Sequence, residues 1–441
     1  MNTTAVAEKP LSLLSAILSD ESFKPSEPAT LADTGLSDSL IDSLVSKYLS
    51  VVGTASGRGI ADHLCLPLGV VEEQLQRLRT RQMLAYSGSA PLNDYYYHLT
   101  DQGRQRAQTF LDACAYVGPA PVPLIEYVLS VEAQSIRAEA PKRAQLESAF
   151  ADISTEPAVF DSLGPAVNSG AGLFLYGAPG NGKTTLAERV TRCFGQHIWI
   201  PRAIIEDGQL IKLHDPAYHE AVESSQESFL KSNDHDRRWV KIRRPTVVAG
   251  GELTMDCLEI RHDAKSNVSE APLQLKSNCG SLLIDDFGRQ RMEPAALLNR
   301  WIVPLEKRYD FLTLASGKKI QVPFEQLIIF STNLDPEDLV DEAFLRRIPY
   351  KVHIADPSEE EFHRLFAQGA GTLGFEYRRD AVEDLLARHY RPVHRCRRRC
   401  HPRDLLGQIR NYCAYNDLPL EMRPEYFDHV VKSYFTVVKA T

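Results

Sequence analysis

The feature that most constrains the fold of this sequence is a glycine-rich stretch, Gly177–Thr185, with the spacing GxxxxGKT. The apolar run Gly172–Tyr176 before it is typical of a short buried strand, and Leu186–Val190 after it is typical of a helix. In this context the glycines let backbone N–H groups turn inward onto phosphate oxygens, and the helix N-terminus adds its dipole. The stretch therefore predicts a phosphate-binding loop in an α/β sheet.

Two side chains of this loop have a defined chemistry. Lys183 is expected to neutralise the β- and γ-phosphates of a bound nucleotide, and Thr184 to place its hydroxyl on Mg²⁺. The residues that we expect to hold the nucleotide are Gly177, Pro179, Gly180, Asn181, Gly182, Lys183, Thr184 and Thr185.

A second motif is the apolar run Ser281–Ile284, which ends in Asp285 and Asp286. The run is typical of a central strand that delivers carboxylates to the same edge of the sheet as the phosphate loop. We expect Asp285 to hold Mg²⁺, largely through water, since this ion keeps much of its hydration shell. Asp286 is the candidate that orients or deprotonates the attacking water.

A third motif is Gln326–Phe330, another buried-strand pattern, which leads into a polar triplet that ends in Asn333. The Asn333 amide can act on the γ-phosphate or on the lytic water without carrying a charge. Downstream, Arg346 and Arg347 end a predicted helix, and Arg403 lies in the first turn of another. These arginines complete the set of candidate site residues.

In their order and approximate spacing, these motifs resemble the AAA+ ATPases, and the resemblance covers residues from about 145 to 437. It implies a P-loop α/β module over residues 145–355, in which helices flank a parallel sheet, and a C-terminal helical lid over residues 356–441. It also implies ATP and Mg²⁺ as cofactors and a homo-oligomeric ring, expected to be a hexamer.

The same resemblance assigns roles to polar residues outside the phosphate loop. It makes Asn333 sensor 1, which acts at the catalytic centre with Asp286. Either Arg347 or Arg346 is then the arginine finger that enters the ATP site of a neighbouring subunit, and Arg403 is sensor 2 in the lid.

The acidic pair departs from the usual family pattern. Most members have Asp-Glu where this chain has Asp285 and Asp286. Replication initiators and helicase loaders also have Asp-Asp, so hydrolysis is expected, at a slow rate. The segment Glu270–Gly280 and a hairpin predicted over residues 311–323 are similar to those of bacterial enhancer-binding activators and minichromosome-maintenance helicases.

The distance along the chain between the first two motifs indicates an insertion. About a hundred residues separate Lys183 from Asp285, more than a compact core of this type needs. We place the insertion at about residues 196–265. Within it, His197–Leu213 predicts a hairpin, and Trp239–Val248 predicts a further extended stretch.

The N-terminal third has a different pattern. Residues 1–35 are rich in Ser, Thr, Ala and Pro and are predicted to be flexible. Residues 37–115 follow the order helix, helix, helix, strand, glycine-containing loop, strand, helix, which resembles the winged helices. We therefore expect an α+β winged-helix domain over residues 36–118, joined by a proline-spaced linker over residues 119–144.

The charge of this domain bears on its partner. Residues 37–115 contain seven Lys and Arg against eight Asp and Glu, and Glu72 and Glu73 lie where base contacts would be expected. This balance favours docking of a protein, with DNA as the alternative.

Composition excludes other classes of protein. The 441 residues are 43% hydrophobic with a net charge of −8, which is typical of globular domains and gives no general attraction to nucleic acid or anionic lipid. No apolar run approaches the ~18 residues of a membrane helix. Eight scattered cysteines indicate reduced thiols, so we expect a cytoplasmic protein without membrane insertion.

A cluster of zinc-ligand residue types, His394, Cys396, Cys400 and His401, has irregular spacing and is interleaved with arginines. We interpret it as a helix start with a buried thiol, with a metal site as the alternative.

The motifs together predict an ATPase that couples ATP turnover to remodelling of an unknown protein client, docked through the winged helix or the inserted loops. The alternative is an ATP-switched DNA-binding regulator or helicase loader. The chain also resembles uncharacterised bacterial ATPases with an N-terminal winged helix, labelled chaperone-like and linked to Flp pilus assembly.

Overall fold

The structure is a computed structural model that describes residues 23–153, 157–195, 197–222, 235–339 and 342–435. Its α-helices are α1 Asp38–Val52, α2 Gly57–Leu64, α3 Leu68–Thr80, α4 Asp101–Ala113, α5 Leu124–Ala133, α6 Arg143–Ala149, α7 Pro157–Ser169, α8 Lys183–Val190, α9 Leu273–Lys276, α10 Pro294–Arg300, α11 Ile302–Lys307, α12 Pro336–Leu339, α13 Glu342–Leu345, α14 Glu359–Leu373, α15 Arg379–Leu385, α16 Cys400–Tyr415 and α17 Pro424–Tyr434.

Its strands are β1 Thr54–Ser56, β2 Leu84–Ala90, β3 Asp94–Leu99, β4 Val122–Pro123, β5 Leu173–Tyr176, β6 His197–Pro201, β7 Ala203–Glu206, β8 Gln209–Lys212, β9 Trp239–Arg243, β10 Thr246–Ala249, β11 Arg261–Asp263, β12 Val268–Glu270, β13 Ser281–Ile284, β14 Tyr309–Thr313, β15 Lys319–Pro323, β16 Leu327–Thr332 and β17 Tyr350–His353.

The central sheet has the order β10-β13-β16-β5-β17, and all of its neighbouring strands are parallel. Its strands are apolar on both faces because helices cover both. In β5, Leu173 and Leu175 pack in one apolar cluster with α6, α7 and α8. Phe174 packs in the opposite cluster with α10 and Trp301. This sheet, its flanking helices and the helical C-terminus fit a P-loop AAA+ module, as expected.

One strand of this sheet lies inside the range predicted for the insertion. The strand β10, Thr246–Ala249, pairs in parallel with β13. The range 196–265 predicted for the insertion therefore contains one strand of the central sheet, and the inserted residues do not fill it. A run of four residues carries too little pattern to distinguish a core strand from an inserted one.

The remaining inserted strands form two further sheets. The hairpin within His197–Leu213 is formed by β7 and β8, and its turn at Asp207 and Gly208 has positive φ at both residues, 53° and 76°. The segment His197–Ile200, expected as part of this hairpin, lies in β6 instead. Strand β6 pairs with β9 in antiparallel register. Strands β14 and β15 form the hairpin expected over residues 311–323.

The segment expected to be a linker is part of a sheet. Strand β4 pairs with β7 at one edge of the order β11-β12-β8-β7-β4. Proline is tolerated at such an edge because no partner strand requires its missing N–H. Helix α5 then packs through Leu124 and Tyr127 against the β14–β15 hairpin. Residues 122–133 therefore fix the N-terminal region to the central module.

The N-terminal region consists of α1, β1, α2, α3, β2, β3 and α4, with a three-stranded sheet of order β1-β3-β2. Its apolar core also includes Ala203, Leu210 and Val268 from the second five-stranded sheet. Residues 1–35 were expected to be flexible. Residues 1–22 lie outside the described range, but the Phe23 ring is buried 5.6 Å from that of Trp239, so this end of the segment is packed.

The lid consists of α14, α15, α16 and α17, which enclose a core that includes Phe362, Phe366 and Phe427. Helix α14 begins after Ser358, whose hydroxyl accepts a hydrogen bond from the Glu361 N–H. Within the described ranges, no helix is both long enough and apolar enough to cross a bilayer.

A buried arginine ties three separate segments together. The Arg238 side chain is 1% exposed, and its Nε lies 2.9 Å and 3.1 Å from the two oxygens of Asp236. It also donates to the carbonyl oxygens of Thr34 at 2.9 Å and Pro121 at 3.2 Å. These bonds join the N-terminal segment, the strand β4 region and the insertion.

We predict that Arg238→Ala destabilises the protein by about 3–5 kcal/mol, because it leaves Asp236 buried without its partner. The measurement is chemical denaturation followed by fluorescence. The matched control is Arg243→Ala, whose side chain and partner Glu220 are both exposed, with an expected cost of about 0.5 kcal/mol or less. Equal effects of the two substitutions would contradict the proposed anchoring.

Candidate nucleotide site

The phosphate loop is held on two sides. A Cβ on Gly177 would lie 2.5 Å from the carbonyl oxygen of Ile354, so the loop passes directly over the end of β17. Gly180 has φ +81°, and a Cβ there would lie 2.5 Å from the Cys400 Sγ of the lid. Only glycine fits both the conformation and the space at this second position.

The three motifs converge at the carboxyl ends of the parallel strands. Lys183 Nζ donates to the carbonyl oxygens of Gly177 at 2.9 Å and Ala178 at 3.1 Å, and to Asn333 Oδ1 at 2.7 Å. The Asn333 amide in turn donates to Asp286 Oδ1 at 3.0 Å. Burial lowers the pKa of Lys183, while the nearby Asp286 and Asp285 carboxylates act in the opposite direction. Loop lysine, acidic strand end and asparagine thus form one contact chain.

A second contact joins the loop helix to the acidic strand. The Thr184 hydroxyl donates to Asp285, with distances of 2.9 Å and 3.1 Å to the two carboxylate oxygens. A hydroxyl and a carboxylate in contact are the hard oxygen donors that Mg²⁺ takes when substrate phosphates and water complete its shell. Thr184 and Asp285 therefore fit the predicted Mg²⁺ ligands.

The turn after β13 fixes the second acid. Asp286 has φ +49°, a left-handed conformation in which aspartate is enriched among non-glycine residues. The next residue, Phe287, donates its N–H to the Ser331 carbonyl at 2.7 Å and buries its ring 4.9 Å from that of Phe330. Because Phe287 points into the core, the Asp286 carboxylate remains on the outer edge of the sheet.

Lys183, Thr184, Asp285, Asp286 and Asn333 line a cavity of about 610 Å³ between the module and the lid. The volume lies in the range of small-molecule sites. Several further residues that line the cavity were not predicted as nucleotide-site residues: Asp152, Ile153, Arg289, Leu365, Gln368, Arg399 and Cys400. Arg289 lies three residues after Asp286, and Arg399 and Cys400 belong to the stretch of arginines and zinc-ligand residue types, so these positions were the available signals.

The lid contacts the phosphate loop through the start of α16. The Cys400 N–H donates to the Gly180 carbonyl at 2.9 Å, and the Arg399 N–H to Asn181 Oδ1 at 3.3 Å. The buried Asn181 amide donates to Asp356 Oδ1 at 2.8 Å. Burial raises the pKa of Asp356, but hydrogen bonds from Asn181 and Arg398 outweigh it and hold that pKa below its usual value.

The arginine-rich stretch is used inside the protein. Arg397 donates to the Pro357 carbonyl at 3.0 Å, and Arg398 pairs with Asp356. The zinc alternative gains no support, because the described residues contain no group of three or more His, Cys, Asp or Glu that could hold a metal. His401 instead shares a hydrogen bond with the Tyr390 hydroxyl at 2.9 Å.

Two lid arginines line the cavity, and they differ in burial. The Arg403 side chain, expected to be sensor 2, is 79% exposed and pairs with the adjacent Asp404 at 3.1 Å. The Arg399 side chain is 12% exposed, pairs with Glu361 at 2.5 Å and lies close to Gly182. Arg399 is therefore the more enclosed of the two.

Neither candidate finger lies among the residues that line the cavity. The Arg346 side chain is 76% exposed and pairs with Glu342 at 2.8 Å, one turn earlier on the same helix. The Arg347 side chain is 27% exposed, and its Nε lies 2.7 Å from Glu306 Oε1 at the end of α11. The other predicted site residues line the cavity, except Gly177, whose carbonyl oxygen accepts a hydrogen bond from Lys183.

A family described as a domain of unknown function, DUF8689, matches residues 358–433, which lie in the lid. No curated protein matches the chain. Among solved structures, NtrX from Brucella abortus in complex with ATP is similar over 67% of this chain and 60% of that chain, at 13% identity and a TM-score of 0.39.

A RuvB mutant from Thermotoga maritima is similar over 68% of this chain and 72% of that chain, at 12% identity and a TM-score of 0.35. A structure of the complex between the magnesium chelatase subunits BchI and BchD is similar over 70% of this chain and 97% of that chain, at 16% identity and a TM-score of 0.31. The chain spans 54% to 60% of the NtrX structures. At these identities and TM-scores the similarities carry no argument about this chain. Its fold is defined by the strand order of the central sheet, and its candidate site by the contacts among its own residues.

We predict that Gly180→Ala releases the start of α16 from the phosphate loop, because the new methyl would overlap Cys400 Sγ at a residue with positive φ. Hydrogen exchange at the Cys400 amide should become faster. Gly208→Ala is the matched control, since it has φ +76° with open space around it and should carry only the backbone cost of about 1–2 kcal/mol. Unchanged exchange in the Gly180 variant would contradict the proposed contact.

Proposed function

We propose that this protein is a Mg²⁺-dependent ATPase of the AAA+ type. The observation that carries the proposal is the contact chain from Lys183 through Asn333 to Asp286, beside the contact of Thr184 with Asp285. It supports a single site in which a cation, an amide, a hydroxyl and two carboxylates surround one triphosphate.

Each group in this site has a task. Lys183 exchanges its bonds to the loop carbonyls for the β- and γ-phosphate oxygens. Thr184 and Asp285 hold Mg²⁺, which supplies charge neutralisation on the phosphates when bound. Asn333 orients the attacking water toward the γ-phosphorus.

Asp286 accepts a proton from this water as the new P–O bond forms and the bond to ADP breaks. Its side chain is one methylene shorter than the glutamate that is usual in the family. It therefore reaches less far toward the water, and turnover is slow.

We propose that the active form is a homo-oligomeric ring, expected to be a hexamer, in which Arg347 or Arg346 completes the site of the neighbouring subunit. Their position outside the cavity of their own subunit supports this assignment. Arg347 is the better candidate, because Glu306 on a different helix orients it. Arg403 and Arg399 would act from the lid of the same subunit.

Turnover is proposed to remodel a protein client in the cytoplasm, with the N-terminal region, residues 36–118, acting as a winged-helix docking domain. Arg77 near the end of α3 and Arg81 just after it support a protein partner over DNA. Arg77 pairs with Asp38 at 2.5 Å and Arg81 with Asp42 at 3.0 Å, so a carboxylate lies beside each of them and offsets its charge. The third, Arg79, lies over the Tyr86 ring.

We predict that Lys183→Ala abolishes ATP binding, because it removes the cation that contacts the loop carbonyls and Asn333 and that is expected to neutralise the β- and γ-phosphates. Calorimetric titration with ATP and Mg²⁺ measures this. Lys212→Ala, at an exposed position on β8, is the control and should bind as the wild type does. Failure of the wild-type chain to bind ATP would overturn the proposed function.

We predict that Arg347→Ala leaves ATP affinity unchanged and lowers the turnover rate by about 10³-fold, as expected for loss of an arginine finger. The specific activity of the wild type should rise with protein concentration as rings assemble. Arg346→Ala is the matched comparison, and near-normal turnover is expected because its partner lies on its own helix. Full activity of a dilute monomer would rule out a shared site.

A further inference from the structure

We propose that Arg289 binds the terminal phosphate of ATP in its own subunit and makes the site distinguish ATP from ADP. This inference rests on the proposed ATPase function and adds a phosphate-contacting residue to it. Arg289 lies three residues after Asp286 and lines the same cavity as Lys183, Asp286 and Asn333.

The backbone before Arg289 is held at many points. The Arg289 N–H donates to the Asp286 carbonyl at 3.0 Å, which closes a tight turn. The Gln290 side chain accepts from the Gly288 N–H at 2.9 Å and donates to the Asp285 carbonyl at 2.8 Å. With Phe287 anchored in the core, the turn leaves Arg289 little freedom of position. Such a constrained turn is suited to hold a side chain at a reacting group.

The location of the terminal phosphate follows from the other contacts. A phosphate-loop lysine reaches the β- and γ-phosphates, and here Lys183 contacts Asn333, which contacts Asp286. The terminal phosphate must therefore lie near the Asp286 end of the cavity. Arg289 begins one turn away from that carboxylate, within the reach of an arginine side chain.

Arg289 differs in its salt bridges from the other two arginines that line the cavity. Arg399 pairs with Glu361, and Arg403 pairs with Asp404. Among the residues that the structure describes, no carboxylate lies within salt-bridge distance of Arg289. Its guanidinium is therefore available for an anion, and its planar array of donors matches phosphate oxygens.

The consequence is a selectivity between nucleotides. A cation at the γ-phosphate stabilises bound ATP and leaves ADP, which lacks that group, unaffected. Because Arg289 belongs to the same subunit, this selectivity is present before a neighbour supplies its arginine. ATP binding and ring assembly are then separate steps.

The test is equilibrium titration of full-length Arg289→Ala with ATP and with ADP, both with Mg²⁺. We expect ATP affinity to fall at least tenfold and ADP affinity to change less than twofold. Arg289→Lys should recover part of the loss, because it keeps the charge without the planar donor array. The control is Arg291→Ala, an exposed arginine two residues on that does not line the cavity, and it should match the wild type for both nucleotides.

Each other outcome has a defined meaning. Equal losses for ATP and ADP, or no loss for either, would overturn the contact with the terminal phosphate and leave the ATPase proposal standing. Reduced turnover with an unchanged ratio of ATP to ADP affinity would also overturn it, since Arg289 would then act on another group. Absence of ATP binding in the wild type would instead remove the proposed function itself. Thermal melting of each variant confirms that it is folded.

Discussion

The site depends on one constraint, which is that three parallel strands end at the same edge of the central sheet. β5, β13 and β16 are neighbours or next neighbours there, although long stretches of chain separate them. The side chains that follow these strands therefore lie close together once the sheet has formed. The hydrogen bond between Lys183 and Asn333 is the direct result, because β5 and β16 pair with each other. A slip of one residue between those strands would displace Asn333 along the sheet by about 3.3 Å relative to the loop and break this hydrogen bond.

A second consequence concerns the lid, which closes on the phosphate loop itself. Asn181 is bonded at once to Asp356 and to the backbone of Arg399. The same loop residues that would cradle phosphate are thus in contact with the lid. A nucleotide that shifts the loop must also shift the start of α16. Loop and lid therefore form one mechanical unit, and occupancy of the site can set the position of the C-terminal helices.

Features with a local sequence signature could be predicted, as the parallel sheet and the helical C-terminus were, whereas features formed by distant contacts could not. The phosphate loop, the acidic pair and Asn333 follow runs of apolar residues whose ends the sequence marks. β10 and β4 have four and two residues, and their place in a sheet depends on partners far along the chain. The packing of Phe23 on Trp239 is similar, since nothing near Phe23 indicates its partner. The burial of Arg399 could not be predicted either, because its counter-ion, Glu361, lies on another helix.

The inserted elements connect the nucleotide site to the N-terminal region through continuous packing. The β14–β15 hairpin leads into β16, which ends at Thr332 just before Asn333, and the hairpin packs with Ile204 and Ile211 of the second sheet. The Ala315 N–H also donates to Gln209 Oε1 at 2.7 Å. That sheet in turn shares a core with the N-terminal helices. The packing therefore runs from β16 through the hairpin to the second sheet and on to the N-terminal region, so the inserted elements join the candidate nucleotide site to that region.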